Sequence, residues 1–182
     1  QTMVEAVDVR TTGLGGDSEV RLDETRNLCV GPRRAVTLSL LAEQYPAVLD
    51  MLRSQSEHCL GREVVDTGAG RFVLREQLLG VEQGSITSTH QEIWGLLNDG
   101  PVSVSQLLSG VEYPPLYRRC LDELMERGLV VASAFTPTDA VHVLGQYRCG
   151  SVEAAELGGW VSVGENSVSE WFGRSWCRLG GQ

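Results

Sequence analysis

Three glycines within four positions, Gly13, Gly15 and Gly16, run directly into Asp17 and Ser18. Glycine lets the backbone take positive φ and brings bare N–H groups close to a ligand, and a carboxylate beside a hydroxyl can hold a metal ion, a water or a phosphate oxygen. The run is a phosphate-loop candidate. It lies between the apolar, alternating residues 4–9 and the strand-like stretch at Val20, and strand-glycine-strand is also the pattern of a plain hairpin turn. On these residues alone both readings stay open.

Other chemistry is excluded by composition. All 15 basic residues are arginine, so a Walker-type lysine, a Schiff-base lysine and a Ser-Lys nucleophile are absent from the chain. A net charge of −9 argues against nucleic acid as a partner, because backbone binding depends on basic patches that release counterions. Five cysteines, Cys29, Cys59, Cys120, Cys149 and Cys177, are odd in number and form no CxxC pair, which predicts reduced and mostly buried thiols. The three histidines, His58, His90 and His142, stand at no recognisable ligand spacing, so no metal site is assigned. Glu63, Asp66, Asp122, Glu123 and Glu126 read as solvated carboxylates, and no Ser-His-Asp, Cys-His or paired-carboxylate arrangement is evident.

These residues must be positioned by about 180 residues of ordinary globular material, enough for one domain or two small ones. No run approaches the ~20 apolar residues that span a bilayer, which predicts a cytoplasmic protein without a membrane partner. Met3 inside an apolar stretch suggests a piece of a longer polypeptide. Residues 4–36 read as β structure: a strand, the glycine turn, a strand around Val20, a polar turn at residues 23–27, and a strand at Leu28-Cys29-Val30 closed by Gly31-Pro32. Residues 37–53 predict one or two helices interrupted at Pro46, and residues 63–75 a hairpin around Gly68 and Gly70.

Residues 85–133 are the best patterned. N-caps at residues 87–89 open a helix that ends near Gly100-Pro101; Val104 to Leu108 forms a short helix; Pro114 opens a longer one that reaches Gly128; and Leu129-Val130-Val131 supplies a strand. Helix, short helix, longer helix and strand is the winged-helix order. On the third helix Arg118, Arg119 and Arg127 alternate with Asp122, Glu123 and Glu126, a pattern of solvated i,i+4 pairs rather than a basic face, so a structural or protein-contacting role is expected.

Residues 135–145 carry Thr136-Pro137-Thr138-Asp139-Ala140 and Val143-Leu144-Gly145. Together with Gly13 to Ser18 and with Val30-Gly31-Pro32-Arg33-Arg34, they resemble the C-terminal part of the hydantoinase/oxoprolinase family, within the actin-like ATPase superfamily. The family order is a glycine loop, a hairpin, a VGP turn and a TDA segment. Here about a hundred residues separate the last two, which reads as an insertion tolerated at a surface loop. The expected fold class is α+β: β-hairpins and helices of part of an actin-like ATPase lobe, split into 1–45 and 133–182, with an insertion at 46–132 whose residues 85–132 are winged-helix-like.

The resemblance implies an ATP-dependent hydrolase that opens cyclic amide rings, with ATP and Mg as cofactors of the full-length protein and neither bound to a fragment that is inactive alone. It implies that backbone N–H groups around Gly13, Gly15 and Gly16 approach the phosphates, that Asp17 and Ser18 reach phosphate through water or Mg²⁺, and that Thr138 and Asp139 lie near the same cleft. The bland alternatives are that Ser18 caps a turn and that Thr138-Asp139 N-cap the next helix, with His142 a core or interface histidine. The implied partners are a missing N-terminal ATPase lobe and a second subunit or second copy. Trp171, Phe172 and Trp176 read as core packing or a docking surface for that lobe, and residues 152–160 as a helix broken by Gly158-Gly159. The remaining alternative is a non-catalytic winged-helix module that binds protein or, less favoured by the charge, DNA.

Overall fold

The structure, a computed structural model, describes residues 15–23, 25, 27–59, 68–76, 86–146 and 149–163. Within them the chain is mixed α+β. The first strand, β1 (Ser18–Leu22), pairs antiparallel with β2 (Leu28–Arg34). Their turn is organised by Asp23, whose Oδ1 accepts from the N–H groups of Thr25 at 2.9 Å and Asn27 at 2.7 Å, as aspartate does in turns. Gly31 and Pro32 do not close the second strand as expected. Gly31 takes φ 70° ahead of a cis proline, and pairing continues to Arg34 opposite Ser18.

The interruption at Pro46 is observed, with α1 (Leu38–Gln44) and α2 (Ala47–Cys59) on either side of it; proline has no N–H to continue the first helix. A second sheet has the order β3-β6-β4-β5. In it β3 (Val36–Thr37) runs parallel to β6 (Val130–Ala134), while β4 (Phe72–Arg75) is antiparallel to both β6 and β5 (Val102–Ser103). The first half of the hairpin expected at residues 63–75 lies outside the described residues. The partners given for β4 come instead from strands about 30 and 60 residues further along the chain.

The helical order is as read from the sequence. It comprises α3 (Ser88–Leu96) with Thr87 as N-cap, a 3-10 turn (Leu97–Asp99), α4 (Val104–Ser109) and α5 (Pro114–Glu126). Gly100 at φ 130° and Gly128 at φ 67° make the turns that end the first and third helical segments. His90 is buried inside this unit: Nδ1 accepts from the Thr87 N–H at 3.2 Å and Nε2 lies 3.1 Å from Glu123 Oε2. The expected i,i+4 pairing on α5 occurs between Arg119 and Glu123.

Two cores share the second sheet. Leu38, Leu41, Val48, Leu52, Phe72 and Phe135 fill the first, and Val73, Ile93, Leu97, Leu121, Leu124 and Val130 are among those that fill the second. Phe72 and Val73 are neighbours on β4, so the alternation of a strand sends one into each core. The sheet is a wall with apolar packing on both faces. Val48 and Leu52 of α2 and Phe72 of β4, which fall in residues 46–132, pack in the first core.

The last two helices, α6 (Pro137–Val143) and α7 (Val152–Val163), complete that core. Gly158-Gly159 do not break α7. A Cβ at Gly158 would run into Leu38 Cδ1, so the glycines let α1 approach the helix closely. The Ser151 hydroxyl accepts from the Ala154 N–H at 3.2 Å and caps the start. Of the described thiols only Cys120 is buried, whereas Cys29 and Cys59 are half-buried and Cys149 is exposed, which corrects the expectation of mostly buried cysteines. Cys177, Trp171, Phe172 and Trp176 lie outside the described residues. Among the described residues no helix is long and apolar enough to cross a membrane.

Helix propensity alone predicts that Gly158→Ala stabilises the protein by up to ~1 kcal/mol. The contact with Leu38 predicts the opposite sign, a loss of about 1–3 kcal/mol; urea unfolding of the two proteins decides, and a gain would refute the close packing.

The Asn27 N–H, followed by the Thr25 hydroxyl, holds the Asp23 carboxyl below the ordinary aspartate range. Its stabilisation of the hairpin is fully present above the unfolded value near pH ~3.9 and is lost as pH falls through the lower folded value. An NMR pH titration of the Asn27 amide should show its midpoint below that of an ordinary aspartate, and a midpoint at or above it would contradict the turn geometry.

Candidate functional site

The glycine loop leads directly into β1, and the described part of it is tightly tied. The Ser18 N–H donates to the Gly15 carbonyl at 3.0 Å and the Gly15 N–H donates to Ser18 Oγ at 3.1 Å, so the two residues close a turn on each other. Ser18 is buried. Of its two readings, capping a turn is the one observed. The Asp17 carbonyl accepts from the Ala35 N–H at 2.8 Å, and the half-exposed Asp17 carboxylate meets Arg34 Nη1 at 3.2 Å.

Gly16 makes the longest connection in sequence. Its carbonyl accepts from both the N–H of Thr138, at 3.1 Å, and the Thr138 hydroxyl, at 2.8 Å. A Cβ at Gly16 would lie 2.7 Å from Thr138 Oγ1, and one at Gly15 would run into Asp17 Oδ1. Gly16 does not adopt positive φ. The need for glycine here is therefore steric, which corrects the expectation based on φ for this position; Gly13 lies outside the described residues.

Thr138 and Asp139 divide their tasks differently from the sequence reading. The N-cap of α6 is Thr136, not Thr138: its hydroxyl accepts from the Asp139 N–H at 3.3 Å, while Asp139 Oδ2 accepts from the Thr136 N–H at 3.1 Å and the Thr136 hydroxyl at 3.0 Å. This is a capping box with aspartate in place of the usual glutamate. The same carboxylate also caps α1, where Oδ2 accepts from the Leu38 N–H at 3.1 Å and Oδ1 from the Ser39 N–H at 2.9 Å. Thr37, the N-cap of α1 by position, makes no side-chain cap bond. Asp139 is fully buried with both oxygens engaged, so it builds the site without facing its cleft.

Three residues here had no role assigned from the sequence. Glu19 is a charged side chain beside Val20 on β1, buried against the Arg71 guanidinium and 4.0 Å from Arg33 Nε. Arg33 also reaches Asp122 on α5 at 3.0 Å. Arg34 is largely exposed beside the loop. Alternation with Val20 and Leu22, which face the first core, would mark Glu19 as outward and solvated; it is buried where the register of β1 shifts between Ser18 and Val20, against arginines from other segments. Asp17, Arg33 and Arg34, with Val36, Leu40 and, from α5, Asp122 and Met125, are among the residues that line a groove of about 950 Å³.

His142 is buried on α6 and its Nδ1 lies 3.5 Å from the Cys149 N–H, a core position as expected. Among the described residues no three His, Cys, Asp or Glu side chains gather into a metal-holding group. A hard cation at the loop would have Asp17 as its nearest carboxylate and would need waters or ligand oxygens for the rest, a coordination typical of Mg²⁺. No family model, curated protein or solved structure matches the chain.

Replacing Asp139 by Asn leaves at least one buried N–H without its acceptor and should cost roughly 2–4 kcal/mol, whereas Thr138→Val, which removes one of two bonds to Gly16, should cost about 1 kcal/mol. Chemical denaturation gives both values; equal costs would contradict the double-cap role of Asp139.

Proposed function

We propose that this chain supplies one wall of the nucleotide-phosphate site of an ATP-dependent hydrolase that opens cyclic amides, of the hydantoinase/oxoprolinase type, and that the opposite wall belongs to an N-terminal ATPase lobe. The observation that carries the reading is convergence. Segments 15–18, 30–39 and 135–140, which hold the three motifs of the resemblance, form one hydrogen-bonded unit, although the last stands about a hundred residues from the others. Unrelated turns have no reason to meet in this way.

The residues suit a polyphosphate in part. Gly16 is open to solvent, and Asp17 and Thr138 stand at the surface beside it. Asp17 would reach Mg²⁺, and the backbone N–H of Gly16 would approach phosphate oxygens. Ser18 and Asp139 hold this geometry from behind. ATP, when bound, supplies a phosphoryl group whose transfer to the amide oxygen makes the ring carbonyl electrophilic enough for water. This chain's share is positioning: a rigid loop whose donors are fixed before the ligand arrives needs little reorganisation.

A second reading, a winged-helix module that binds protein, draws on α3, α4 and α5 packed on β5, β4 and β6 with their own core. Exposed Tyr113 and Leu116 on the first turn of α5 favour protein over nucleic acid as its partner. Further along α5, Arg119 is paired with Glu123, and Asp122 is spent on Arg33. The two readings are compatible, the module being inserted into the hydrolase.

With half of the phosphate contacts missing, isothermal titration of the isolated chain with Mg-ATP should reveal no binding tighter than millimolar. Micromolar binding would sink the split-site idea, and a DNA duplex shifted by the chain at moderate salt would overturn the argument from charge.

A further inference from the structure

We propose that Arg34 is the anion-binding side chain of the glycine loop and that the Asp17 carboxylate is the partner it releases when a polyphosphate arrives. The inference rests on the phosphate-wall reading and adds a residue that the resemblance does not assign. A chain without lysine must meet phosphate charge with arginine or a metal ion. Arg21, opposite Cys29, lies toward the far turn of the β1–β2 hairpin; nearer the loop, Arg33, Arg34 and Arg71 differ in what their removal would leave behind.

Arg71 and Arg33 are committed to structure. Both face the buried Glu19 carboxylate, and Arg33 also binds Asp122 on α5. Drawing either toward a ligand would leave a buried charge short of its partner, a strongly unfavourable change. Arg34 has no such burden. Its side chain is 82% exposed and its partner, Asp17, is 46% exposed, so the pair is a solvent-screened contact that contributes little and exchanges readily.

Position supports the same residue. The strand register sets Arg34 opposite Ser18, and the Ala35 N–H is bonded to the Asp17 carbonyl, so the backbone carrying the guanidinium is fixed to the loop. Arg34 and Asp17 both line the groove beside α5, which admits a ligand larger than a lone ion. A guanidinium presents paired N–H donors that match two phosphate oxygens. The carboxylate it leaves is a hard oxygen ligand for the Mg²⁺ that accompanies a polyphosphate. Cation and anion thus exchange partners: Arg34 passes from Asp17 to phosphate, and Asp17 passes from Arg34 to Mg²⁺.

The test is titration of the isotope-labelled chain with magnesium-free tripolyphosphate, following the backbone amides of Gly16 and Asp17 and the Arg34 Nε–H by NMR. Wild type should shift at all three positions with a millimolar midpoint. Arg34→Gln should weaken binding about tenfold, as loss of a charge-assisted contact does. Arg34→Lys should fall between the two, and Asp17→Asn, which removes the competing carboxylate, should bind more tightly than wild type. Loop amides that shift equally in wild type and Arg34→Gln would overturn the role of Arg34 while leaving the phosphate wall intact. Absence of loop shifts in every protein, Asp17→Asn included, would overturn both. Should Arg34→Gln fail to fold, the opposite displacements expected of Arg34→Lys and Asp17→Asn carry the test, and unchanged affinity in both would refute the exchange.

Discussion

A single buried carboxylate joins segments that the chain keeps about a hundred residues apart. Asp139 accepts the first N–H groups of α1 on its two oxygens and, on Oδ2, also the N–H and hydroxyl of Thr136 that open α6. The first N–H groups of a helix have no partner within it, and inside a core they must find an acceptor elsewhere. Thr37 makes no side-chain cap bond to the first N–H groups of α1, so Asp139 takes that place from across the fold. Its position then fixes the rest of the site. With α6 held against α1, Thr138 reaches the Gly16 carbonyl, and the loop cannot leave β1 without breaking contacts to both segments.

The second constraint is the shared sheet. A strand pair cannot bury one face and leave the other apolar face in water, so the helical unit of residues 88–126 serves as the cover for the side of β4 and β6 that the first core leaves open. That unit is not a separate body on a tether, because β4 donates Phe72 to one core and Val73 to the other. The Glu19, Arg71, Arg33 and Asp122 contacts add a polar seam between β1, the approach to β4, β2 and α5. Arg33 thus links Asp122 of α5 to Glu19 of the strand that follows the glycine loop.

Local chemistry was legible in the sequence wherever the cause was local. Pro46 divided two helices, residues 23–27 made a turn, and the apolar period of residues 88–126 produced the three helices expected. What could not be read depended on partners far along the chain. Phe72 to Arg75 suggested a hairpin because its neighbours in sequence looked like a strand, yet β4 pairs with β5 and β6. Gly158-Gly159 looked like a break because helix propensity speaks of isolated helices, whereas in the core the missing side chains make room for Leu38. Glu19 carried no signal at all. The site was legible as a set of motifs, but not the division of labour within it, since Thr138 and Asp139 are adjacent in sequence and face opposite ways.

That division bears on what the loop can do. A phosphate loop whose glycines served only to permit positive φ would accept other arrangements of the chain around it. Here Gly16 is hemmed in by Thr138 Oγ1, and Gly15 by Asp17, so side chains already press against the loop from the rest of the fold. Such a loop is set before any ligand reaches it. Preorganisation of this kind favours electrostatic work over induced fit, because the donors do not have to be gathered. The movable parts are then side chains at the rim, and Asp17 and Arg34 are exposed enough to change partners at small cost. A rigid backbone with a labile ion pair at its edge can accept a charged ligand without disturbing the core beneath it.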